Sequence, residues 1–126
     1  MAQKYIKDDI VMYKNRIHTI IDTLGLNNYE LSYVSHSVNQ AELSGVPLTH
    51  EILEKNGWKT FIEQHDFRYA FKIDDLCYLV VMTGFLDGIR IFIRKGTIYD
   101  KLRTLKYVHQ LQHLLFGLGL NSEMEV

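Results

Sequence analysis

Residues 101–120, KLRTLKYVHQLQHLLFGLGL, decide how this chain closes its fold. At about 100° per residue, Tyr107, Val108, Leu111, Leu114, Leu115 and Leu118 fall within an arc of about 120°, the width of a helix face that packs on a core. Lys106, His109, Gln110, Gln112 and His113 occupy the remaining arc and are read as its polar side. The pattern predicts a terminal amphipathic helix over this stretch, lying as a lid on a sheet. Gln110 and Gln112 are able to satisfy backbone groups at a sheet edge.

Upstream of it, 58–94 reads as antiparallel strands. Arg68 to Ile73 alternates, with Tyr69, Phe71 and Ile73 opposite Arg68, Ala70 and Lys72. Leu76 to Thr83 is apolar on both faces, as in a central strand covered above and below. Asp74-Asp75 marks a turn before it, and Asp87-Gly88 a hairpin after it. Ile89 to Arg94 points Ile89, Ile91 and Ile93 inward and Arg90, Phe92 and Arg94 outward. After Gly96 the chain is read as looping to the final helix.

The first third reads as short strands. Ile10 to Tyr13 and Arg16 to Thr23 flank Lys14-Asn15, a two-residue hairpin turn in which Asn tolerates positive φ. Tyr29 to Val34 follows, with Tyr29, Leu31 and Tyr33 on one face, and one more short strand is expected at Ala41 to Leu43. Between 47 and 58 lies a brief helix: Thr49 is a good N-cap, and Asn56-Gly57 stops it. The expected fold is a single α+β domain over 1–126. Its first subdomain, about 5–46, is a small SH3-like curled sheet; the second, about 47–120, is a short helix and an antiparallel sheet covered by the terminal helix.

With 126 residues, the chain fits one domain and buries roughly two-thirds of its unfolded surface. No apolar run approaches the roughly 18 residues that span a bilayer, and the start MAQKYIKDD lacks the apolar core of a signal peptide. The single cysteine excludes an internal disulfide, and a cytoplasmic location without membrane contact is expected. The net charge of −1 is unevenly spread: −4 over 1–87, +5 over 88–106 and −2 beyond.

That basic segment holds the first candidate site. Arg90, Phe92, Arg94, Lys95, Lys101 and Arg103 place an aromatic ring among cations, a combination that stacks a nucleobase and meets phosphates. The plain structural reading covers Phe92 and pairs the arginines with local acids. His109 and His113, at i and i+4, are spaced for a metal, but the helix supplies no third ligand, so no metal or cofactor is expected. Cys77 would need a histidine such as His65 or His18 to act as a nucleophile, and its apolar strand favours an inert thiol. The chain carries no phosphate-cradling glycine loop, nucleophile elbow or zinc-protease helix, and no enzymatic activity is expected.

Two segments carry a family likeness. Val46-Pro47-Leu48-Thr49 with Glu51 to Trp58, and Lys106-Tyr107-Val108-His109-Gln110-Leu111-Gln112 with Leu114-Leu115-Phe116, resemble motifs in small uncharacterised proteins of Bacteroides-type gut bacteria and their phages or mobile elements. Tyr13-Lys14-Asn15-Arg16-Ile17 is similar to the barrel hairpin of those proteins. The chain departs at His113, Gly117 and Gly119, where the pattern prefers Asn, Ala and Thr-Gly; Gly117 costs a helix up to about 1 kcal/mol relative to Ala. The resemblance implies an accessory protein and assigns no catalytic residue. The leading expectation is therefore protein–protein contact through His109, Gln110 and His113 or an unpaired strand edge, including a homodimer. The alternatives are nucleic-acid binding on the basic segment, or a small-molecule or nucleotide sponge lined by Tyr29, Tyr33, Trp58 and Tyr69.

Overall fold

The computed structural model describes residues 4–25, 27–63, 66–85 and 88–126. They form a small α+β protein with two antiparallel sheets, a curled half-barrel and a second five-stranded sheet, which belong to two compact units.

The first unit takes the chain up to Pro47 and Tyr107–Met124. Its strands are β1 (Ile10–Tyr13), β2 (Arg16–Thr23), β3 (Asn28–Leu31), β4 (Val38–Asn39) and β5 (Leu43–Gly45), in the order β4-β3-β2-β1-β5. The β1–β2 hairpin turns on Lys14 and Asn15, whose φ values of 49° and 63° are the paired left-handed conformations of a two-residue turn. Tyr5, Val11, Tyr13, Ile20, Tyr29, Leu31, Val38 and Leu43 form its core. There Tyr5 meets Tyr29 edge to face at 5.7 Å, a contact worth about 1 kcal/mol beyond its burial.

Two expectations change here. Tyr33 leaves the face shared by Tyr29 and Leu31: the chain turns at Tyr33 with φ 61°, and its side chain is fully exposed. Ala41 and Glu42 lie in a 3-10 turn, Gln40–Glu42, because Asn39 and Glu42 build a reciprocal capping box around it, and the strand begins only at Leu43.

The second unit runs from Leu48 to Lys106 and includes Glu125–Val126. It opens with α1 (His50–Lys55), where Thr49 Oγ1 accepts the Ile52 amide at 3.3 Å and Gly57 leaves with φ 85°. Then come β6 (Lys59–Glu63), β7 (Asp66–Asp74), β8 (Cys77–Phe85), β9 (Gly88–Lys95) and β10 (Ile98–Leu105), ordered β10-β9-β8-β7-β6. Asp74 Oδ1 accepts the Leu76 amide in the β7–β8 turn. Phe85 pairs with Gly88 across the β8–β9 connection; Leu86 and Asp87 of the expected hairpin turn lie outside the described residues.

β10 corrects the reading of 98–105 as loop and helix start. Gly96, at φ 63°, turns the chain back, and the strand pairs with β9 over its length. The helix, α2 (Val108–Gly117), begins only after the isolated bridge between Pro47 and Tyr107. Its place is also a correction. α2 belongs with the first sheet, not the second, because Val46 O accepts the Val108 amide at 2.8 Å and the Gln112 side chain is built into the start of β1. Of the predicted apolar arc, Val108, Leu111 and Leu115 are buried, while Leu118 is exposed.

Candidate nucleic-acid interface

Side chains of directly paired strand residues share a face, so the register of the second sheet assigns its two sides. One side holds Tyr69, Leu79, Val81, Ile91 and Leu105, all buried. This side meets α1 and the segment after it: the His50 and Tyr69 rings lie 5.3 Å apart, and Trp58 lies 5.5 Å from Phe71. It is the apolar core of the unit, with Ile52, Leu53 and Trp58 supplying the cover.

The opposite side has a different chemistry. One row crosses all five strands as Lys59, Ala70, Val80, Phe92 and Lys101. A second row reads Lys72, Tyr78, Arg94 and Tyr99, and a third Met82, Arg90 and Thr104. Five cations and three aromatic rings thus share one face, and none of these positions is acidic. The rows lie about 7 Å apart along the strands and step about 4.8 Å from strand to strand. Phe92 is partly buried and meets Tyr99 edge-on at 6.3 Å, while the Arg94 guanidinium lies 5.5 Å from the Tyr99 ring centre. Arg94 Nε donates to Gly96 O at 2.8 Å, which fixes the arm that carries the charge.

The structure brings together Arg90, Phe92, Arg94 and Lys101 of the sequence candidates. It separates Lys95, which pairs with Ile98, and Arg103, which pairs with Ile91, onto the other side. A bulge between Lys101 and Arg103 produces that change of side. Lys59, Lys72, Tyr78 and Tyr99 were missed. Alternation places Lys72 opposite Phe71, but nothing local says that it stands in line with Tyr78, Arg94 and Tyr99.

Of the expected protein-contact residues, Gln110 and His113 are partly exposed and His109 is buried. His109 is 3% exposed, and Gln112, from the same supposedly polar arc, is 4% exposed. The Gln112 carbonyl accepts the Ile10 amide at 2.9 Å, and its NH₂ donates to Asp8 O and Ser122 O. Gln110 accepts the Tyr107 amide at 3.0 Å and completes the N-terminal cap of α2. His113 Nε2 lies 2.7 Å from Asp9 Oδ2, a carboxylate 2% exposed that also accepts the Ile6 amide. His109 stacks on Tyr107 at 5.6 Å, and burial lowers its pKa to about 4, so its ring is neutral near pH 7. Gln112 and His113 tie α2 to residues 8–10 within the first unit.

Among the described residues no three potential metal ligands come together. Cys77 is partly buried; His18 is held in the first unit by Ser32 O at 2.8 Å, and His65 lies outside the described residues. The sponge residues are dispersed: Tyr29 is in the first core, Tyr33 is in solvent, and Trp58 and Tyr69 are in the second core. No helix is long and apolar enough to cross a membrane among the described residues. No protein-family model, curated protein or solved structure matches the chain.

Proposed function

We propose that the protein is a non-enzymatic binding module that holds single-stranded nucleic acid on the cation–aromatic face of its second sheet. The carrying observation is the pair of rows Lys59–Ala70–Val80–Phe92–Lys101 and Lys72–Tyr78–Arg94–Tyr99, without an acid at any of these positions. Aromatic rings between cations accept unpaired bases of any identity, each stacked base contributing about 1–3 kcal/mol, while the cations meet phosphates. A duplex hides those base faces, which favours single strands. An accessory role in a phage or mobile element rests on the sequence resemblance, an SH3-like identity for the first sheet on its run of short strands, and both belong to the same proposal.

The test is anisotropy of a labelled single-stranded oligonucleotide at low salt. The expected result is binding whose log affinity falls linearly with log salt, with a slope of about −0.7 per phosphate contact. Absence of binding to both DNA and RNA would end this reading.

A second reading, homodimer formation, is favoured by two exposed apolar side chains, Leu76 and Ile98, flanking Cys77 and Lys95 in adjacent hairpins. Sedimentation that reports a monomer at every concentration removes it; a dimer lost on Leu76→Asp with Ile98→Asp supports it.

A further inference from the structure

At the β6 margin of the second sheet, a cleft of about 370 Å³ is lined by Gly57, Lys59, Ala70, Phe71, Lys72 and Tyr78. Two lysines and a tyrosine therefore line a recess whose other lining residues are small or apolar. β6 is the last strand of its sheet, so the recess lies where a path along the rows runs out. α1 ends at Lys55, and three of its carbonyls are engaged: Ile52 O and Leu53 O accept the Asn56 amide, and Glu54 O accepts the Gly57 amide. Lys59 and Lys72 are the charged residues of the lining, and Asp75 stands beside Lys72.

We propose that this cleft seats the terminal monophosphate of a nucleic-acid strand; the inference rests on the binding reading above. A terminal monophosphate carries up to two negative charges and three outward oxygens, against the single charge of an internal diester. It suits two ammonium donors beside a phenol, and charge-assisted hydrogen bonds of this kind are the stronger class. Lys72 is at present paired with Asp75 at 2.9 Å, both side chains being largely exposed. Such an exposed pair is weak enough for a phosphate to displace.

The experiment compares one oligonucleotide sequence with a 5′-phosphate, a 3′-phosphate or neither, and adds a mononucleotide as competitor. A terminal phosphate at one end is expected to tighten binding by about tenfold. Lys59→Ala and Lys72→Ala should each reduce that increment more than they weaken binding of the unphosphorylated strand. Asp75→Asn, which releases Lys72, should enlarge it. Both lysines are exposed, so folding is expected to survive, and circular dichroism checks it. Equal binding of all three oligonucleotides overturns the end-phosphate assignment and leaves the face intact as a binder. Displacement by the mononucleotide at matched concentration overturns it in favour of a free nucleotide. No binding of any oligonucleotide overturns both.

Discussion

The two units place their polar side chains in opposite ways. In the first, Asp9, His109 and Gln112 are drawn inside, and Gln112 and the Asp9–His113 contact bind the terminal helix to the start of β1. In the second, Lys59, Lys72, Arg94 and Lys101 stand with three aromatic rings on one sheet face, while the other face buries Tyr69, Leu79, Val81, Ile91 and Leu105. A polar residue on a helix is thus no guide to a contact surface when partners arrive from a hundred residues away. A cation on a strand is a better one, because the period of two sends it to a single side.

The largest effect that would break this contrast concerns pH. His109 has its folded pKa lowered from 6.5 to about 4 by burial, with the Asp9 carboxylate opposing in part. Below pH 6.5 the unfolded chain takes up a proton that the folded one refuses, so stability present above pH 6.5 is lost progressively as pH falls toward 4. The full loss is about 3 kcal/mol, read as a drop in the urea midpoint across that window. A flat profile from pH 7 to 4 would place His109 in solvent.

Gln112→Ala should follow, at about 2 kcal/mol, since it strips partners from Ile10 N–H and Asp8 C=O inside the first unit. Thermal unfolding measures it; a change within about 0.5 kcal/mol would return Gln112 to the surface class. Gly45→Ala comes next, at about 1 kcal/mol, because a Cβ there would sit 2.6 Å from the Tyr107 ring that stacks on His109. An unchanged melting temperature would show that the ring yields freely. Smallest of all, Arg103→Ala should leave oligonucleotide affinity within about twofold, whereas an on-face arginine has a larger effect. A loss at Arg103 equal to that at Arg94 would make the charge diffuse and the face irrelevant.

Where neighbours in sequence determine a feature, it was readable. The Lys14-Asn15 turn, the Thr49 cap and the Gly57 stop each depend on a few adjacent residues, and all three stand where expected. β10 was not readable because its bulge between Lys101 and Arg103 inserts a residue, leaving Leu102 and Leu105 three apart, as on a helix. The placement of α2 depends on bonds between Gln112 and residues 8–10, which no local periodicity encodes. The candidate face was half legible for the same reason. Alternation supplies Arg90, Phe92 and Arg94, but only strand register adds Lys59, Lys72, Tyr78 and Tyr99.

The central claim is tested most directly by the affinity of a labelled single-stranded oligonucleotide for the native chain and for Phe92→Ala with Arg94→Ala, measured across a salt series. The account predicts salt-sensitive binding by the native chain, an affinity lower by about a hundredfold in the double variant, and a salt slope that is shallower by about 0.7. Equal affinity and equal slope for the two proteins, with both folded, would contradict it.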